Sequence, residues 1–251
     1  MEWWQFVILG IASITMSVFS GIAGGGGGFI MTPLLIFLGL TPAQAVSTGK
    51  ISGLTVSIGA LGGMRSIHGQ LSKWRIIPVM ALAFFVGLLV PFVIKSLDSD
   101  AYRIALGIIL LLMIPVLLVK KVGLSSYTPK TWQKYVGSGL LAVAMFLQGV
   151  FSGGLGTLVS VVLMSMLGMT ATEANVTKRW SQLILNSTIV VGVLFSGLIV
   201  WQVLLVLIPL SILGGYLGGK IAVKKGNKFV LDVMIILMVI SALLLIFGVD
   251  L

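Results

Sequence analysis

The stretch GGGGGFIMTPLLIFLGLTPAQAVSTGKIS, Gly24 to Ser52, sets five consecutive glycines, Gly24, Gly25, Gly26, Gly27 and Gly28, directly after an apolar run that begins near Trp4. Inside a bilayer such a run weakens a helix by about 1 kcal/mol per residue relative to Ala and bares backbone groups that lipid cannot satisfy. A break of this kind persists only where protein or water lines it. The apolar segment that follows, Phe29 to Leu40, is too short to cross a hydrocarbon core of about 30 Å at about 1.5 Å per residue. The spacing predicts a half-helix whose first N–H groups and positive dipole end face the break, an arrangement suited to an anion. No Lys-Ser or Lys-Thr pair follows the glycines, so a nucleotide-binding phosphate loop is not supported.

The same pattern returns in weaker form. GGLGTLVSVVLMSMLGMTATEANVTKRWS, from Gly153, aligns without a gap at a shift of 153 − 24 = 129. Gly24, Gly25, Gly27, Gly39, Thr41, Thr48 and Ser52 then fall on Gly153, Gly154, Gly156, Gly168, Thr170, Thr177 and Ser181. We read this as a duplication. Each half carries an odd number of segments, so the second half starts on the opposite face of the membrane, and inverted repeats broken by glycine at matching places belong to secondary transporters. A lone small-residue pair would instead indicate close helix packing. The repetition, each time before an under-length helix, favours a site.

Composition agrees with a membrane setting. The chain has 251 residues, of which 58% are hydrophobic and 9% charged, against about 25% charged in a soluble domain. Apolar windows recur along its whole length, leaving no block for an appended soluble domain. The net charge of +10 comes from Lys and Arg in short clusters between apolar runs, which orients a membrane protein and does not indicate nucleic acid. The absence of Cys removes thiolate chemistry. Glu2, Trp3 and Trp4 precede the first apolar run, the pattern of a retained helix and not of a signal peptide.

The expected fold is therefore an all-α polytopic membrane protein of two inverted-topology repeats, with eight long transmembrane helices plus two short broken half-helices. The long spans lie near Trp4 to Ala23, Ala43 to Gly63, Ile76 to Ile94, Ala101 to Val119, Tyr135 to Phe151, Thr172 to Phe195, Ile199 to Val223 and Phe229 to Gly248, and the half-helices at Phe29 to Leu40 and Leu155 to Met169. Residues 1–122 form the first repeat, 123–134 a cytoplasmic linker and 135–251 the second repeat. Basic clusters at Arg65, Lys73 and Arg75, at Lys120, Lys121, Lys130 and Lys134, and at Lys224, Lys225 and Lys228 mark the cytoplasmic side. Both termini and the loop KSLDSDAYR then fall outside.

Two cations occupy matched positions within the long spans: Lys50 aligns with Arg179. Lys50 lies about eight residues into its span, roughly 12 Å deep. A cation at the centre of a membrane helix costs about 2.5–3.5 kcal/mol on the insertion scale and faces a cavity or a partner. Asn175, Arg179, Gln182 and Asn186 form one polar stripe at helical spacing, with Glu173, Thr177 and Ser181 beside it and Gln44, Thr48 and Ser52 answering in the first half. The candidate binding residues are Gly24 to Gly28, Thr48, Lys50, Gly153, Gly154, Gly156, Asn175, Thr177, Lys178, Arg179 and Gln182. With Lys50, Lys178 and Arg179 against the single acid Glu173 in these two spans, the expected partner is a small anion. Glu173 is a candidate proton carrier, since a carboxyl in a low-dielectric site can load and unload a proton. The structural alternatives are a snorkelling Lys50 and an Arg179–Glu173 pair. No metal or cofactor is expected.

At these residues the chain resembles the TauE/SafE family of membrane transporters, on the glycine-rich break GGGGGFIMTPLLIFLGLTPAQAVST, its counterpart SGGLGTLVSVVLMSMLGMTATEANVTK, and long spans in two related halves. The resemblance covers essentially the whole chain. It implies a bacterial-type inner membrane and export of sulfite, an organosulfonate or a related small anion. The second break departs from the first, with Leu155 and Thr157 opposite Gly26 and Gly28.

An enzyme is disfavoured: the one His, His68, sits in the basic loop RSIHGQLSKWR, with no HExxH and no Cys. A passive anion channel, an importer of another oxyanion or carboxylate, and a membrane subunit driven by a partner ATPase stay open, and a homodimer is compatible with the pattern.

Overall fold

A computed structural model describes residues 3–25, 28–70, 73–94, 123–151 and 155–246. Gly26, Gly27, Gly153, Gly154, the expected span Ala101 to Val119, Lys120, Lys121, the loop KSLDSDAYR and both extreme termini lie outside them, as does the side chain of His68. Among the described residues all regular structure is helical. The helices are α1 (Trp3–Ala23), α2 (Gly28–Phe37), α3 (Pro42–Gly63), a 3-10 turn (Arg65–Gln70), α4 (Lys73–Ile94), α5 (Thr131–Phe151), α6 (Gly156–Ser165), α7 (Ala171–Val193) and α8 (Trp201–Ile246).

Four segments are long and apolar enough to cross a membrane: α1, Arg75–Ile94 of α4, α5, and Trp201–Leu237 of α8. Helices α3 and α7 have the length, at 22 and 23 residues, but carry the polar residues singled out above. The rest of the bundle shelters them: α3 packs chiefly on α8 and α7, and α7 on α4 and α3. The two half-helices have 10 residues each. The two spans expected after Ile199 are two helices that meet at a kink, with Lys224 and Lys225 helical and not in a loop. Only Gly226, at φ 79° and ψ −174°, leaves helical geometry. At about 1.5 Å per residue an uninterrupted Trp201–Leu237 would greatly exceed the bilayer, so Gly226 divides it into two segments. Helix α5 begins at Thr131, slightly before the start expected for that span at Tyr135.

Both half-helices lead into the long polar helices by the same device. Gly39 and Gly168 take positive φ, 97° and 67°, which glycine adopts without a Cβ penalty. Thr41 and Thr170 then cap α3 and α7, each with a capping box closed by Gln44 or Glu173. These pairs are separated by 129 positions.

Helix α8 is the bundle's closest-packed member. A Cβ on Gly214 would lie 2.7 Å from the Ile14 carbonyl oxygen, and one on Gly218 would strike the Val18 carbonyl, both on α1. Gly215 and Gly219 meet the Val56 and Ala60 carbonyls of α3 in the same way. GGYLGG thus presents one glycine stripe to α1 and another to α3, the close approach that small residues allow in lipid. A buried serine contact crosses the same junction, with Ser211 Oγ 3.3 Å from Ser13 Oγ and 2.9 Å from Ser52 Oγ.

Candidate functional site

Helix α1 ends at Ala23, and Gly24 turns the chain at φ 72°. The last carbonyls of any helix lack intrahelical partners. Here they are met by side chains of α7. Asn175 Nδ2 donates to the carbonyls of Gly21 (3.2 Å) and Ile22 (2.8 Å), Lys178 Nζ to that of Gly24, and an Arg179 terminal nitrogen to that of Ser20. Cations at a helix C-terminus also complement its dipole.

A second cation makes a similar contact at the end of α5. Lys50, on α3, donates from Nζ to the carbonyl of Gln148 at 2.7 Å, in the last turn of α5. Arg179 of α7 thus meets the end of α1, and Lys50 of α3 meets the end of α5.

The breaks also meet each other. A Cβ on Gly25 would lie 2.9 Å from the Thr157 amide nitrogen and 3.0 Å from the Gly156 carbonyl carbon, at the first turn of α6. One on Gly156 would lie 2.5 Å from Lys178 Nζ. Only glycine lets the end of α1, the start of α6 and the Lys178 ammonium converge so closely. Gly28 opens α2.

Burial is nearly complete. Lys50, Lys178 and Arg179 are 2%, 1% and 0% exposed, and Lys178 feels the like charges of the other two. No carboxylate among the described residues pairs with them. Glu173 instead accepts from the Thr170 amide at 2.8 Å in its capping box, so the Arg179–Glu173 pair is not formed. Arg179 Nε, Thr177 Oγ1, Ser47 Oγ and Asn175 Oδ1 are buried without a hydrogen-bond partner. Buried charge and unpaired polar atoms are both costly without a partner, so this region is a polar, positive core inside an apolar bundle.

The remaining sequence candidates take varied places. Gln182 accepts from Arg179 at 3.5 Å, and with Asn186 it lies against Gly53 of α3. Thr48 is fully buried and accepts from the Val200 amide at 3.1 Å, just before α8. Ser181 donates to the Lys178 carbonyl at 2.9 Å. Sequence reasoning did not single out Ser20 or Gln148, whose main-chain oxygens carry no residue-type signal. The Gln148 side chain, set in an apolar span, could have been noticed, since its Nε2 would be 3.4 Å from a Gly156 Cβ.

A helical bundle that holds two interrupted segments and three buried cations defines a membrane protein built around a polar centre, the class to which transporters belong. The chain belongs to the TauE/SafE family, whose model, described as Sulfite exporter TauE/SafE, matches residues 9–245. It is 28% identical to a probable membrane transporter protein of Haemophilus influenzae over 92% of this chain and 90% of that one. It is 24% identical to the probable membrane transporter protein YunE of Bacillus subtilis, covering 97% and 98% of the two chains. YfcA of Escherichia coli, also a probable membrane transporter protein, is 24% identical over 88% of this chain and 82% of its own. No solved structure matches the chain significantly. The chain is thus a multi-pass protein of a membrane-transporter family.

Proposed function

We propose that the protein carries a small sulfur-containing anion, sulfite or an organosulfonate, out of the cytoplasm across the inner membrane by alternating access. The observation that carries this reading is the trio Lys50, Lys178 and Arg179, withdrawn from solvent with no carboxylate among the described residues to balance them. A mobile anion supplies the missing charge. The unpaired Arg179 Nε and Thr177 Oγ1 are donors for it, and Lys178, bonded to one carbonyl, has further N–H groups to offer. The positive dipole end of α6, beside Lys178, also favours negative charge there. In this reading the two halves, residues 1–122 and 135–251, are inverted repeats with the anion between them, and both termini face outward. The choice of a sulfur oxyanion follows the family description, which names sulfite.

Purified protein in liposomes should move sulfite, thiosulfate, taurine or sulfoacetate in preference to simple carboxylates. Lys50→Gln and Arg179→Gln should each abolish flux while the protein still elutes as a monodisperse peak. Wild-type flux in both folded variants would sink the proposal. Uphill accumulation under an imposed pH gradient separates a carrier from a channel.

A further inference from the structure

Away from the buried cations, a cavity of about 340 Å³ opens at the end of the bundle where α4 and α5 begin. Arg75 of α4 and Lys134 of α5 line it, both exposed, together with the exposed hydroxyl-bearing Ser138. Its wall is apolar, including Val79, Leu82 and Leu141. No carboxylate among the described residues lines it. Two like charges are thus brought to one opening from separate helices, above an oily interior.

We propose that this cavity binds an anionic phospholipid, with its phosphate at Arg75 and Lys134 and the upper part of an acyl chain against Val79, Leu82 and Leu141. Charge complementarity selects the head group, since Arg and Lys are the phosphate binders of proteins. The apolar wall selects a lipid over a small hydrated anion, which would be stripped of water there without compensation. Basic pockets between membrane helices on the cytoplasmic side are where such head groups are held. Arg75 and Lys134 belong to basic clusters expected on that side. The lipid would brace the start of α4 against that of α5, and its binding does not depend on which anion the protein carries.

The test is native mass spectrometry of the full chain, titrated with phosphatidylglycerol or phosphatidylcholine. Phosphatidylglycerol should be retained preferentially. Arg75→Gln and Lys134→Gln should each weaken that retention by about fivefold, and the double variant by more than tenfold. Lys224→Gln, exposed but outside the cavity, should leave it unchanged. Leu82→Trp, which fills the cavity and keeps both charges, should also weaken it. Equal retention of the two lipids, or an equal loss in Lys224→Gln, would overturn the proposal in favour of general surface attraction. Displacement of the lipid by glycerol phosphate at similar concentration would overturn it in favour of a small-anion site. Both charged positions are exposed, and the melting temperature of each variant in detergent checks folding. Should Arg75→Gln fail to fold, Lys134→Gln alone decides the charge arm.

Discussion

The ends of α1 and α5 are equivalent in position and unequal in construction. Both precede a glycine-rich stretch, and both have a carbonyl near their end met by a cation from another helix, Arg179 of α7 for α1 and Lys50 of α3 for α5. At α1, however, Asn175 and Lys178 join Arg179, whereas at their matched positions, a shift of 129 earlier, α3 carries Val46 and Gly49. The donor-rich end belongs to the half with the longer glycine run. A break that frees more backbone needs more side-chain donors to satisfy it, and the α1 break has gathered them at the cost of concentrating positive charge. That charge is what makes the region suited to an anion.

The comparison breaks most readily at Asn175. Asn175→Leu keeps the side chain's branching and neutrality while leaving the Gly21 and Ile22 carbonyls unpaired. At about 1–3 kcal/mol for each of the two buried unsatisfied groups, the loss should be roughly 2–6 kcal/mol. Lys50→Met, which orphans one carbonyl at α5 and also removes a costly buried charge, should cost about 2 kcal/mol or less. Melting temperatures in detergent check the order. An equal or greater loss at Lys50 would mean that the two ends are held alike, and the asymmetry would be cosmetic.

A finer comparison uses Gly39 and Gly168, which share positive φ and differ in surroundings. A Cβ on Gly39 meets nothing within 4 Å, while one on Gly168 would strike the Tyr127 carbonyl oxygen of the linker. Gly39→Ala should therefore cost only the left-handed strain, about 1–2 kcal/mol. Gly168→Ala adds a backbone clash and should lose about 1–3 kcal/mol more. The linker is tied to this turn, with the Tyr127 amide donating to the Gly168 carbonyl at 3.1 Å and the Ala171 amide to that of Gly123 at 2.7 Å. Equal melting temperatures for the two variants would show that the linker yields freely.

Much of this frame could be read from residue types alone. Glycine runs, short apolar segments and the Thr caps are local signals, and α2, α3, α6 and α7 fall within a few residues of where those signals put them. Lys50, Lys178 and Arg179 stood out because cations are rare in apolar spans. What residue types could not reveal is what the cations hold. Their partners are main-chain oxygens of Ser20, Gly24 and Gln148, which any residue would supply, and the contact between helices depends on packing that no local pattern records. GGYLGG announces close approach but not which helices approach. The division of α8 at Gly226 falls where two spans were expected, but the helical state of Lys224 and Lys225 was not legible, because a basic loop and a basic helical turn have the same composition and Lys is a good helix former.

Glu173 carries the smallest expected effect and separates two accounts of proton use. Its carboxylate closes the α7 capping box by accepting from Thr170, and Gln44 closes the matching box of α3 by accepting from the Thr41 amide at 3.1 Å. An amide, which does not titrate, already performs this task in the first half. If capping is all that Glu173 does, Glu173→Gln should change stability by less than about 0.5 kcal/mol and leave anion flux and its response to a pH gradient intact. Removing the cap itself with Thr170→Ala should cost about 1 kcal/mol, so the cap is measurable in the same assay. The informative outcome is the opposite one, in which Glu173→Gln folds and still exchanges anions but no longer accumulates them uphill. That pattern would assign the coupled proton to Glu173 and add a second role to a side chain that otherwise only caps α7.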